Sequence, residues 1–371
     1  MGRIVPATTL PDRHHTGDGL RRTEIPSKRG GAAERPAGGG VQVAEALTLE
    51  VKKAARRAGA DLVGIGGMDR FEGAPQEFDP RHIFPEARCI IGLGFRIHRG
   101  LFRGIEEGTF FAAYPSLGYA NVNDVHAPLV LRELGSFIED QGYEAMLYSN
   151  TSVRLGTNAG RPVAPGLPAP DVFLHFRISA FICGLGEIGY SKVFLTPQFG
   201  PRQRFAFVLT DAPLEPDSLY SGPPLCDRCL RCAQDCPVGA ISADKTVKVR
   251  VAGRELEWND LDTSKCFVGW QAASPEFNPF LNEEMAQLMR EVMDESAADD
   301  RGRRSWEGLG DRLQRDLPYI RNALESFHHP AAICGGRGCM RACMIHLEES
   351  GKLANTFKSP FRKRPPWELT G

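Results

Sequence analysis

Four cysteines within eleven residues, Cys226-x2-Cys229-x2-Cys232-x3-Cys236, constrain this chain more than any other feature, and Pro237 follows the last of them. Two intervening residues let the chain curl so that successive sulfurs and backbone N–H groups point inward. Cys-Pro then turns the chain away and sends the fourth sulfur to a neighbouring site. This is the ligand run of a protein with two 4Fe–4S clusters. The competing reading is zinc, which takes four ligands, usually as two separated pairs, and so fits the crowding and the Cys-Pro ending poorly.

Two cubes need eight thiolates, and four more follow: Cys266, and then Cys334-x4-Cys339-x3-Cys343. The crossing rule of such modules assigns Cys226, Cys229, Cys232 and Cys343 to one cube and Cys236, Cys266, Cys334 and Cys339 to the other. Met344 stands where Pro usually follows the last ligand, and the x4 gap is looser than x2. His346 is a further candidate ligand, with a capping or solvent role as its alternative. Of the ten cysteines, Cys89 and Cys183 remain; each is flanked by apolar residues and reads as a small buried hydrophobe. Small secreted scaffolds are held by many bridges, whereas these cysteines fall in two tight clusters, which favours metal in a reducing, cytoplasmic setting.

Lys plus Arg number 45 against 46 Asp plus Glu, a net charge of -1, so no global field draws in nucleic acid or a membrane surface. No stretch approaches the roughly 20 apolar residues of a spanning helix, so a soluble protein is expected. Arg21-Arg22 lacks the apolar core of a twin-arginine signal, and Met1-Gly2 lacks Ser or Thr at Pro6 for myristoylation. Residues 1–43, rich in Gly, Pro and Arg, read as a disordered lead.

Residues 44–215 alternate helix and strand as an α/β sandwich would. The patterns predict helices over Ala44–Ala58 and Pro128–Gln141, and strands over Asp61–Gly66, Cys89–Phe95, Glu144–Tyr148, Val172–Ile182 and Arg204–Thr210. A Pro-, Ser- and Gly-rich stretch at 213–224 marks a boundary. The cysteine module then covers 216–346, interrupted by a helical insert at 278–330 with helices near Asn282–Ser296 and Ser305–His328. The tail, residues 347–371, carries Lys358, Arg362, Lys363 and Arg364 and reads as a solvated end.

Gly184-Leu-Gly186-Glu-Ile-Gly189 is a literal G-x-G-x-x-G, with Asp211 beyond it as a ribose-binding acid, so a dinucleotide site has to be weighed. That motif needs a helix immediately after the glycines. Here Tyr190-Ser-Lys-Val-Phe-Leu-Thr-Pro197 leads through a proline into a strand and leaves no room for one.

In order, the glycine run, Leu195-Thr-Pro-Gln-Phe-Gly200, Leu209-Thr-Asp-Ala-Pro-Leu214, the Cys226 run, Lys265-Cys266 and the final cysteines resemble the epoxyqueuosine reductase and reductive dehalogenase superfamily across residues 45–346. The lone Cys266 is a feature of the epoxyqueuosine branch. The resemblance implies a nitroreductase-like α/β sandwich that binds cobalamin, with Gly184, Gly186 and Gly189 as cofactor-binding residues. A bacterial two-cluster ferredoxin-like module follows it, whose clusters pass single electrons to the corrin. It implies an external electron donor such as ferredoxin or flavodoxin, and a small organic substrate.

Epoxyqueuosine reductases carry an acidic proton donor in an Asp-Thr-Ala-Pro stretch. The matching place here is Pro170, one residue from Asp171, which becomes the donor candidate; a turn or cap after Pro168-Ala-Pro is its equal alternative. The run ends Gly189-Tyr190 instead of Gly-Lys, so Tyr190 or Lys192 is a second candidate. Dehalogenases use a tyrosine donor, to which Tyr114, Tyr119 and Tyr190 are not matched by these motifs. With these departures tRNA is not the expected partner. The expectation is an iron–sulfur oxidoreductase of this type; its alternative is a 4Fe–4S electron-transfer protein without cobalamin.

Overall fold

A computed structural model describes residues 40–155, 160–272 and 333–365, with positions 278, 279, 283 and 287. Apart from Glu283 and Gln287, the two helices expected within the 278–330 insert, like residues 1–39, lie outside the described residues.

The sheet is built from the apolar runs that the pattern marks as strands. β1 (Leu62–Gly67), β2 (Cys89–Arg96), β3 (Ala145–Tyr148) and β4 (Gln203–Thr210) stand in the order β1-β2-β4-β3, every neighbour antiparallel. Leu62 opposes Gly94 and Cys89 opposes Thr210. Alternation sends Val63, Ile65, Ile91, Leu93, Ala206 and Val208 to one face, where they pack on α1 (Gly40–Ala58) and α2 (Ala127–Asp140). Leu62, Ile90, Phe205, Phe207 and Leu209 face the other way onto α3 (Phe176–Ile182). Covering both faces explains why β2 reads as an almost unbroken apolar run. Each fully buried side chain such as Ile91 contributes roughly 1.5–3 kcal/mol.

Close approach on the α3 face needs glycine: a Cβ at Gly92 would stand 2.9 Å from Cys183 Sγ. Cys89 and Cys183 are 3% and 1% exposed, as expected for small buried hydrophobes, and burial pushes the Cys183 thiol well up.

Three expectations are corrected. Helix α1 begins at Gly40, so residues 40–43 belong to it instead of to the lead. The strand expected over Val172–Ile182 is α3, capped by His175, whose Nδ1 accepts from the Ile178 amide; a short apolar run does not distinguish a buried strand from a buried helix. The tail is docked as far as Pro365. Arg362 and Arg364 pair with Glu107, Lys363 Nζ lies 2.6 Å from Glu349, and Arg99 lies 3.6 Å over the Phe357 ring. Glu107, far away in sequence, thus pairs two members of the basic patch, which composition alone could not show.

Glu187–Ile188, inside the glycine run, pairs with Phe194–Leu195 as a short hairpin, so no helix follows the glycines. A longer hairpin, Ile241–Val251 with Arg254–Leu261, separates Cys236 from Cys266. Among the described residues no helix is long and apolar enough to cross a membrane.

Candidate metal and cofactor centre

The loop that carries Cys226 and Cys229 places Arg228 and Leu230 at φ 57° and 59°, a left-handed conformation that residues other than glycine adopt rarely. Such turns swing successive amides to one side and make an anion-binding concavity of the kind found at iron–sulfur sites. One helical turn, α4 in part of the module (Arg231–Gln234), then presents Cys232. Cys343 arrives from the helix Cys339–Glu349. Cys226, Cys229, Cys232 and Cys343 line one small cavity together with Gly189 and Tyr190. Cys229 is its exposed member.

A second cavity, about 430 Å3, is lined by Cys236, Cys266, Cys334 and Cys339. Cys266 comes from the helix Thr263–Ala272 and Cys334 from the short helix Ile333–Arg337. The two cavities share Ser191. Backbone amides point at both sets: Tyr190 N donates to Cys226 Sγ at 3.2 Å and Ala240 N to Cys236 Sγ at 3.3 Å. Glu187 accepts from the Cys226 amide at 2.7 Å and anchors the first loop.

Burial first, and neighbouring thiolates with it, push the Cys232 thiol up to about 11 and the Cys339 thiol up to about 12. Thiols crowded in this way are protonated by themselves; a bound metal would replace the protons and relieve the repulsion. Spacing also bears on which metal. Among the described residues no three of these eight sulfurs lie within 4.8 Å of one another. Thiolates on one tetrahedral zinc, at about 2.3 Å from it, would stand roughly 3.8 Å apart. Among the described residues the one His, Cys, Asp or Glu trio within 4.8 Å is Asp227, Cys229 and His346, with His346 Nε2 2.8 Å from the Asp227 carboxylate.

The second cysteine cavity opens toward basic and aromatic side chains. Tyr119, Arg177, Arg204 and Met340 line both it and a third cavity of about 460 Å3. Arg204, on β4, donates from Nη2 to Tyr114 Oη at 3.1 Å and lies 3.9 Å over the Tyr119 ring. Tyr114 Oη in turn donates to Met340 Sδ at 3.3 Å, next to Cys339, and burial pushes this phenol up to about 12. Burial lowers the Arg177 and Lys192 values; the Arg204 charge lowers Arg177 further, and the Arg177 charge lowers Lys192. Lys192 is held at φ 64°. Tyr114–Ala120 and Val122–His126 are π-helical, a geometry frequent at functional sites.

The remaining sequence candidates lie elsewhere. Asp171 is exposed on the stretch before α3 and lines none of these three cavities. Tyr190 sits beside the first cysteine set, its hydroxyl donating to Ser242 O at 3.0 Å. Gly189 lines the first cysteine cavity, whereas a Cβ at Gly184 or Gly186 would strike the carbonyl oxygen of Ser218 or Leu195, so those two glycines admit neighbouring backbone. Sequence reasoning passed over Arg177 and Arg204 and left Tyr119 unmatched. Arg177 had a signal, as the one charge inside the apolar run Phe176–Ile182; Tyr119 had none, because a π-helical segment lacks the 3.6-residue period.

No family model matches the sequence. Over 253 residues the chain is 38% identical to a tetrachloroethene reductive dehalogenase of Desulfitobacterium hafniense, a match taking in 59% of this chain and 44% of that protein. The chain spans less than half the length of the curated relatives it matches. Among solved structures it is similar to the catabolic reductive dehalogenase NpRdhA in complex with 3-bromo-4-hydroxybenzoic acid, with TM-score 0.46 and 19% identity over 76% of this chain and 38% of that one. It is also similar to epoxyqueuosine reductase from Streptococcus thermophilus, with TM-score 0.42 and 16% identity over 81% and 79% of the two chains.

Proposed function

We propose that this chain, a divergent member of the superfamily of reductive dehalogenases and epoxyqueuosine reductases, is an iron–sulfur reductase that works with cobalamin. In this reading Cys226, Cys229, Cys232 and Cys343 hold one 4Fe–4S cluster, and Cys236, Cys266, Cys334 and Cys339 hold the other. The observation that carries it is the division of eight thiols, all but Cys229 buried or half-buried, four and four between two cavities. The wide sulfur spacing favours cubes over single zinc ions.

The residues also fit a corrin. Two cavities with Tyr119, Arg177 and Arg204 in common each have the volume of a small-molecule site, and one of them contains the second cysteine set. When bound, the corrin supplies the strongly reducing centre that cleaves a carbon–halogen or comparable bond, fed by the clusters one electron at a time.

The chain itself supplies binding, orientation and a proton. Tyr119 takes the donor role in this reading, in place of the exposed Asp171 and of Tyr190, whose hydroxyl is committed to Ser242. The Arg204 guanidinium over its ring holds the phenol in position and stabilises the phenolate left after transfer. Exposed Cys229 marks the side at which an external donor such as ferredoxin or flavodoxin delivers electrons. A nitroreductase-like sandwich, a ferredoxin-like module and a small organic substrate belong to the same proposal.

Anaerobic reconstitution with iron and sulfide, then loading with hydroxocobalamin, tests it. About eight irons per chain and a co-eluting corrin absorbance are expected. Clusters without corrin under saturating cobalamin would leave an electron-transfer protein; bound zinc would remove the iron–sulfur reading altogether.

A further inference from the structure

Lys192 stands on the wall of the second cysteine cavity, with Cys236, Cys266, Cys334 and Cys339. Its backbone is held at φ 64°, with the amide donating to Gly189 O at 2.9 Å, a left-handed conformation that a residue with a long side chain keeps only under constraint. The residues just before it connect the two cysteine sets. Gly189 and Tyr190 line the first cavity, the Tyr190 amide donates to Cys226 Sγ, and Ser191 lines both cavities. The Lys192 side chain is half-buried beside the buried Trp258, with Nζ 5.7 Å from the ring centre.

Among the described residues no aspartate or glutamate lines this cavity, and Lys192 forms no ion pair. The Cys266 thiolate acts on its charge more strongly than the exposed Asp260 does. Cations at the first set are matched instead: Arg228 lies 2.5 Å from Glu257 and Lys352 3.2 Å from Asp227. A half-buried cation without a carboxylate calls for another anion, and a 4Fe–4S cube on four thiolates is one. Reduction adds a further negative charge to that cube, which burial opposes and a neighbouring ammonium favours.

We propose that Lys192 sets the reduction potential of the second cluster, its ammonium holding that buried cluster above the exposed first one, so that electrons arriving at the first set pass downhill to the second. The proposal rests on the iron–sulfur reading and gives the direction of transfer within it a cause.

The test is a redox titration of the cluster-loaded, cobalamin-free protein at pH 7, followed by electron paramagnetic resonance, with iron analysis of every sample. Cys229→Ala, which keeps the second cluster, identifies its signal. In wild type the second cluster is expected to be reduced at the higher potential. Lys192→Gln should shift its reduced-to-oxidised ratio at a fixed potential at least tenfold toward oxidised, about 59 mV for one electron, and leave the first cluster within about twofold. Lys192→Met, which keeps the packing on Trp258, should do the same, and Lys192→Arg, which keeps the charge, should stay within about threefold of wild type. An unmoved second cluster in the neutral variants, equal shifts of both clusters, an arginine variant as low as the neutral ones, or the reverse order in wild type overturns the proposal. So does loss of the second cluster from both neutral variants, which would make Lys192 a residue that holds the cluster. Wild-type protein that takes up no iron counts against the iron–sulfur reading itself, whereas wild type loaded with both clusters and unmoved by the substitutions counts against this role of Lys192 alone.

Discussion

Glu106→Gln is the substitution whose consequence the structure determines most fully. Glu106 is 0% exposed and takes two bonds from Arg341, at 2.5 and 2.7 Å, with Arg337 Nη1 at 3.4 Å and the Arg364 amide also donating. Arg341 reaches on to Asp235 at 3.6 Å, beside Cys236, while Arg337 and Arg341 stand two residues either side of Cys339. One carboxylate thus ties together two segments that carry cysteines of the second set, and the docked tail. Burial would raise the Glu106 value, but the Arg341 bonds, the Arg364 amide and the charges of Arg341 and Arg337 outweigh it and hold the carboxyl below the ordinary glutamate range.

Glutamine leaves two buried guanidinium groups facing a neutral amide, and removing one partner of a buried ion pair costs about 3–5 kcal/mol. For a chain of this size that is a fall in Tm of roughly 4–6 °C. Because the folded-state value is depressed, the glutamate's contribution is complete above the unfolded value near 4.5 and is lost as pH falls through the folded one. The gap between wild type and variant therefore narrows below about pH 4.5. Differential scanning of the metal-free chains at pH 7 and pH 4 reads both effects, and iron analysis of reconstituted protein should show the second cluster depleted before the first. A Tm within about 1 °C of wild type, or a gap that widens with acid, would refute the reasoning.

Cys229→Ala should remove about half the iron, since one cube loses a ligand while the other keeps its four; loss of all iron would show that the sets assemble together. Tyr119→Phe should keep iron content and Tm while lowering turnover about a hundredfold or more, and an unchanged rate would exclude it as the proton donor. Asp171→Asn and Tyr190→Phe should leave turnover within a few-fold of wild type, the second costing about 1 kcal/mol of stability through the lost Ser242 bond; a hundredfold loss in either would return the donor role to that residue.

The strands and the cysteine spacing were legible in the sequence because each is a local property. Strands β1, β2, β3 and β4 reappear within a residue or two of their apolar runs. The failures arise where local pattern is degenerate: seven residues, Phe176–Ile182, pack as helix where an apolar run also suits a strand. The basic tail read as solvated because Glu107, which pairs Arg362 and Arg364, lies far from it in sequence.

Sequence by itself determined the chemistry available, eight clustered thiols in a mixed α/β chain. Only the tertiary structure decided which side chains meet over the cavities. Arg204 reaches Tyr114 across 90 residues of chain, and a π-helical turn aims Asn123 inward. Contacts of that range follow from how the layers pack, and no local period or spacing encodes them.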